Sequence, residues 1–167
     1  MPLTAPTSAD TDLRFERVVD LPPEAIWAAW TTPELVNQWF TPAPWRTSDT
    51  TIDLRPGGGF HTVMHGPEGE RHAQAGCYLV VEPGRTLVWT SALLPGFQPA
   101  PPTPEGFAIT ATIRLTPEGQ GTRYEATASH ADAASRARHE AMGFEAGWGA
   151  ALDQLVALMK AQARPHG

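Results

Sequence analysis

Cysteine is nearly absent from this chain of 167 residues, with Cys77 the only one. An internal disulfide is therefore excluded, and a reducing, cytoplasmic setting is the simplest expectation. Basic residues are in deficit, 12 Lys and Arg against 18 Asp and Glu, for a net charge of −6. Without a basic excess, neither nucleic acid nor an anionic membrane surface is an expected partner. No apolar run reaches the ~18 residues that a membrane-spanning helix needs. Residues 1–11 carry Pro, Thr, Ser and Ala, with no charged start followed by an apolar stretch. They read as a disordered tail and not as a signal peptide. Cys-x-x-Cys, His-Glu-x-x-His, Gly-x-Ser-x-Gly and Walker patterns are missing too. Gly57-Gly58-Gly59 joins two expected strands without opening a helix, so phosphate cradling is not expected. No metal and no cofactor is expected.

What is abundant is proline, glycine and tryptophan, at 17, 15 and 6 residues. So many indoles suggest aromatic packing around a large core or pocket. Residues 12–21 alternate around Leu13 and Phe15, then Val18 and Val19, and read as a first strand. Pro22-Pro23-Glu24 starts a short helix with Ile26, Trp27 and Trp30 on its apolar face. Thr32-Pro33-Glu34 starts a second, burying Leu35, Val36, Trp39 and Phe40, which Pro42 and Pro44 end. Strands are expected over 49–55, 60–65, 71–82, 85–93, 107–115 and 122–130, joined mostly by hairpin-length turns. The exception is 94–105, which holds five prolines. A connection that long and proline-rich is a lid or a solvated insertion.

The stretch 132–162 lies within the longest proline-free part of the chain. Phe144, Trp148, Leu152, Leu155 and Met159 share one helical face there. Gly143, Gly147 and Gly149 each cost roughly 1 kcal/mol against Ala inside a helix. Because apolar periodicity continues on both sides, one unbroken helix is expected. Its glycines serve either tight packing on a sheet or room for a ligand. Consecutive hairpins imply an antiparallel sheet, which should curl around the single long helix. The expected organisation is one α+β domain over 12–162, flanked by tails at 1–11 and 163–167.

This order resembles the helix-grip fold of the START-like (SRPBCC) superfamily. Trp27-Ala28-Ala29-Trp30-Thr31-Thr32-Pro33-Glu34-Leu35, continuing to Gln38-Trp39-Phe40, is similar to the opening motif of one branch, named after activators of a heat-shock ATPase. Asp53-Leu54-Arg55-Pro56-Gly57-Gly58 with Phe60 resembles its glycine turn. Gly76-Cys77-Tyr78 and the run from Glu82 to Thr90 resemble its central strand pair. Gly121-Thr122-Arg123 and Gly147-Trp148 with Leu152 match its late strand and last helix. The resemblance covers 12–162. It implies a small hydrophobic or amphiphilic ligand held between the sheet and the long helix; some remote relatives are polyketide cyclases or other enzymes. ATPase activation is not carried over, because the eponymous co-chaperone's separate N-terminal domain has no counterpart here. Two departures stand out: the long proline-rich segment, and small residues (Ala126 and Ala128) where relatives are often bulky.

Those small residues sharpen the expectation of a cavity. Ala111, Ala126 and Ala128, facing Gly143 and Gly147, would remove volume from an aromatic core. An unfilled void costs roughly 24 cal/mol per Å3, so larger neighbours or a ligand must fill it. Trp27, Trp39, Met64, Trp89, Phe107, Tyr124, Phe144 and Trp148 are the candidate walls. Weaker candidates are His130 and His139 as acid–base groups beside the long helix, and Glu145 within it. His61, His65 and His72 are close enough in sequence to suggest a metal site, but no ligand motif supports one. Binding of an amphiphile is thus the leading expectation. A cyclase- or hydrolase-like enzyme using His130, His139 or Glu145 is one alternative, and a stress-related interaction module with a filled core is another. A homodimer is plausible for the family, though no residue pattern calls for one.

Overall fold

A computed structural model describes residues 8–102 and 106–163. The chain runs α1 (Ser8–Thr11), β1 (Asp12–Val19), α2 (Pro23–Thr31), α3 (Pro33–Trp39), β2 (Arg46–Ile52), β3 (Gly59–His65), β4 (Arg71–Glu82), β5 (Thr86–Thr90), β6 (Leu93–Leu94), β7 (Gln98–Pro99), β8 (Thr110–Glu118), β9 (Gly121–Ser129), α4 (Ala133–Ala141) and α5 (Phe144–Ala163). Seven strands form one antiparallel sheet in the order β1-β9-β8-β5-β4-β3-β2, and β6 pairs with β7 apart from it. This is the helix-grip arrangement: a long sheet, two short helices after the first strand, and a long C-terminal helix.

Side-chain alternation makes one face of this sheet the core. The register carries Leu13 to Ala128, Ala128 to Ala111, Ala111 to Trp89 and Trp89 to Tyr78, a straight row across five strands. All five residues of the row are buried, packed with Ile26, Ala29 and Trp30 of α2, Val36 and Trp39 of α3, and Leu152 and Leu155 of α5. Ladder irregularities in β2 and in β4, between Tyr78 and Val80, interrupt the pairing toward one end of the sheet. Polar bonds pin the helical layer. Trp39 Nε1 donates to the Ala29 carbonyl at 2.9 Å, joining α3 to α2. Gln154 of α5 donates to the carbonyls of Trp39 and Thr41 and accepts from the Ala43 amide.

Four expectations need correction. The stretch 132–162 is two helices. Asp132 caps α4 by accepting from the Ser135 amide at 2.7 Å, and Gly143, at φ +91°, turns the chain before α5. That left-handed conformation is the one glycine supplies at a helix end. Part of the expected N-terminal tail is structured: Ser8–Thr11 is a helical turn and Thr11 is buried. The backbone carbonyl of Thr11 accepts from His130 N at 3.0 Å, which ties the turn to the end of β9. Residues 1–7 and 164–167 lie outside the described residues, so the expected tails there stay expectations. The strand expected over 107–115 begins at Thr110, because Phe107 turns into a side-chain cluster instead of joining the ladder. The second strand lies at Arg46–Ile52, earlier than expected, and its irregularity coincides with Asp49 at φ +54°.

Candidate functional site

The face of β3, β4 and β5 nearest α3 concentrates aromatic rings. Phe60 stacks on Trp89 at 5.3 Å between centroids, and Tyr78 meets Phe60 edge-on at 5.5 Å. Phe40, just past α3, leans on Phe60 at 5.6 Å and on Trp89 at 6.5 Å. Within this cluster sit three buried polar atoms that find no hydrogen-bond partner: Thr62 Oγ1, Tyr78 OH and Trp89 Nε1. Thr62 and Tyr78 are 1% and 0% exposed, and Trp89 only 6%. Alternation brings them to one face, since Thr62 lies two residues from Phe60 and Tyr78 pairs directly with Trp89. Burial pushes the Tyr78 hydroxyl pKa well up, so the group is a neutral donor.

A small void of about 10 Å3 opens beside Thr62 and Trp89, lined by Phe40, Phe60, Thr62, Gln74, Ala75, Gly76, Trp89 and Ser91. Glycine at 76 fits a close approach of the neighbouring strand. A Cβ there would sit 3.0 Å from the Thr90 carbonyl. Ser91, one of the residues lining the void, lies just before the proline-rich connection. That connection is held against the glycine turn: Gly96 N donates to the Gly57 carbonyl at 2.8 Å. Phe97 rests on Gly57, where a Cβ would come within 2.7 Å of its ring. Phe97 is a non-glycine residue at φ +60° and is half exposed.

The residues expected from the sequence divide among several places. Trp39, Trp89, Tyr124, Ala111, Ala126, Ala128 and Phe144 are buried in the core, and Trp148 packs at its edge. Trp30 Nε1 donates to Tyr124 OH at 3.2 Å beside the alanines. The two concavities described here both lie away from the layer between the alanines and α5. Gly147 is half-buried with open space around a would-be Cβ, whereas at Gly149 a Cβ would meet the Arg17 guanidinium at 2.8 Å. That contact is with the far end of a partly exposed side chain, and Phe15 of β1 lies at an ordinary 3.5 Å, so Ala at 149 requires only a shift of Arg17. Met64 is only half-buried and lies outside the core cluster. Trp27 reaches the core's edge but lines a separate surface cleft. Phe107 joins a cluster at the other end of the sheet.

That cluster contains both weak histidine candidates. His130 Nδ1 lies 2.7 Å from the Thr11 carbonyl, and His130 Nε2 lies 2.9 Å from His139 Nδ1. A carbonyl only accepts, so His130 carries its proton on Nδ1 and offers Nε2 as acceptor; His139 then donates from Nδ1. Phe107, Phe144 and Trp148 surround the His139 ring. Burial, with His130 alongside, lowers the His139 pKa to about 4. Glu145 is exposed and takes no part in this cluster. The three central histidines do not converge. The β3–β4 register places His72 across from Met64, on the face opposite His61 and His65. His65 instead bonds Ser48 at 2.7 Å, and His72 stacks on Trp45. Cys77 is fully buried.

Thr62 and Tyr78 were not among the sequence candidates. Thr62 shares a strand face with Phe60, but nothing local marks it or Tyr78 as unpartnered. Their isolation depends on which strands lie alongside.

Residues 20–160 match the family described as "Activator of Hsp90 ATPase homolog 1-like protein". The chain belongs to this family, a part of the SRPBCC superfamily. A crystal structure of a Nitrosomonas europaea protein is similar at 44% identity and a TM-score of 0.88, over 92% of this chain and 97% of that one. A Mycobacterium smegmatis protein shares the fold at 23% identity and a TM-score of 0.75, over 95% of both chains. An Arthrobacter aurescens protein solved by NMR does so at 20% identity and 0.79, over 96% of this chain and 92% of that one. No functionally curated protein matches. Family membership brings a START-like fold, and no ligand or reaction comes with it. No helix among the described residues is long and apolar enough to cross a membrane.

Proposed function

We propose that this protein binds a small amphiphilic molecule in the aromatic interior between β3–β5 and α3. The observation that carries the reading is the trio of buried, unpartnered polar atoms, Thr62 Oγ1, Tyr78 OH and Trp89 Nε1, on one face of the sheet, with Thr62 and Trp89 lining one void. An unsatisfied buried polar group costs about 1–3 kcal/mol. Three on one face are a standing cost that a ligand's polar end would relieve, while Phe40, Phe60 and Trp89 enclose its apolar part. The present void has room for about one water, so a ligand must displace Phe40 or the segment after Ser91. Phe40 is half-buried and caps the cluster from outside. The proline-rich segment is the gate in this reading: β6 and β7 are two residues each and a single backbone bond holds Gly96 to the glycine turn.

Acid–base chemistry is less well supported. The facing nitrogens of His130 and His139 are spent on each other and on Thr11, and Glu145 faces solvent.

Native mass spectrometry of the purified protein, followed by denaturing extraction, tests the reading. The expected result is a co-purifying molecule lost from the Tyr78→Phe and Thr62→Val variants. Both variants should fold at least as well as the parent, because each removes an unsatisfied group without changing shape. An apo mass throughout, with variants markedly less stable than the parent, would mean that an ordered water satisfies these atoms and no ligand does.

A further inference from the structure

A second concavity, larger than the interior void, lies elsewhere, and its chemistry is different. It is a surface cleft of about 580 Å3 between the start of α2, the β4–β5 turn and the end of β8. That size falls within the roughly 300–1,000 Å3 of ordinary small-molecule sites. Its walls are prolines, Pro23, Pro83 and Pro117, with Leu115 among the lining residues. They are also held in place. The β4–β5 turn closes through Arg85 N to the Glu82 carbonyl at 2.9 Å, and Leu115 N of β8 donates to the Arg85 carbonyl at 2.8 Å.

Three recognition groups of different kinds, Trp27, Glu24 and Arg85, line this cleft. Trp30, Trp39, Trp45, Trp89 and Trp148 each pack against another ring, whereas Trp27 meets none among the described residues. Glu24 and Arg85, both exposed on the same cleft, form no ion pair or side-chain hydrogen bond, with each other or with any described residue. Arg17, Arg55, Arg123, Arg136 and Lys160 have carboxylate partners, whereas Arg85, like Arg14, Arg46, Arg71 and Arg114, has none among the described residues. An indole face attracts a cation, a carboxylate reinforces it, and a guanidinium takes an anion in planar geometry.

We propose that this cleft binds a small zwitterion, a molecule with an ammonium at one end and a carboxylate at the other. The ammonium lies against Trp27 and Glu24, and the carboxylate pairs with Arg85. The site is independent of the interior one: no residue lines both.

Glycine betaine is the probe, followed by the indole N–H signals in two-dimensional NMR of the full chain. The signal missing from Trp27→Phe identifies Trp27. The expected result is a saturable shift of that signal, weakened ~10-fold in Glu24→Gln and in Arg85→Gln, whose charges supply the two ends. Tetramethylammonium and acetate, each offering one end, should bind more weakly than betaine by a similar factor. An absent or non-saturating shift overturns the proposal, as does one unchanged in both variants. A shift at Trp89 with Trp27 still would also overturn it, while leaving the interior reading intact.

Discussion

His139 is where a single residue links stability to pH. Its folded pKa is lowered to about 4 by burial and by His130. In the unfolded chain it returns to about 6.5. Between these values the unfolded state binds more protons, so stability is complete above the unfolded pKa and falls as pH drops toward the folded one. The full shift corresponds to about 3 kcal/mol, an upper bound that partial exposure of the ring reduces. The geometry gives the same sign. A proton on both rings would set two N–H groups, His130 Nε2 and His139 Nδ1, against each other across 2.9 Å. Asp132 adds its own loss at lower pH, because its bonds from Ser135 hold its pKa below the usual carboxylate value. Urea unfolding of the parent should therefore show a falling midpoint from pH 7 to 4.5, and the His139→Gln variant a flatter one. Parallel profiles would remove His139 from the explanation.

At the level of elements, the glycines of the C-terminal region separate into different jobs. Gly143 holds φ +91°, so Ala there must adopt a strained backbone. Gly147 lies within α5 at an ordinary helical angle with open space around a would-be Cβ. Ala at 143 should cost about 1 kcal/mol or more, and Ala at 147 should stabilise by about 0.5–1 kcal/mol, the helix-propensity difference. Thermal unfolding of the two single variants checks both; shifts of the same sign would refute the assignment. This contrast explains why one helix was expected where two exist. The apolar spacing from Phe144 to Met159 belongs wholly to α5 and says nothing of what precedes it. A local signal was present. Asp132 three residues before Ser135 marks a helix start, and Arg138 and His139 before Gly143 mark a helix end. The strands were more legible, because burying one face writes alternation directly into Ile113 to Leu115 and Tyr124 to Ala128.

For the whole molecule, the sequence carries the layers better than the contents of the core. Which residues turn inward is a local property; which inward residue lacks a partner is not. Tyr78 lies beside Trp89 only because β4 pairs with β5, and Trp89 meets Phe40 only because α3 ends against that part of the sheet. The small residues Ala111, Ala126 and Ala128 pointed to missing volume, yet the voids described here gather elsewhere, near the unpartnered polar atoms and at the Trp27 cleft. The same map predicts how the molecule opens. β8, β9 and β1 share long ladders covered by α2 and α5, so their amides should exchange only on global unfolding. Residues 93–99 hang on two-residue strands and one bond to Gly57, and should exchange through local opening. Hydrogen exchange followed by mass spectrometry should find that segment fast in the purified protein and slowed when the interior binds a ligand. If the segment exchanges as slowly as β8 with no ligand bound, it is a fixed part of the wall, and access to Thr62, Tyr78 and Trp89 must come from movement of Phe40.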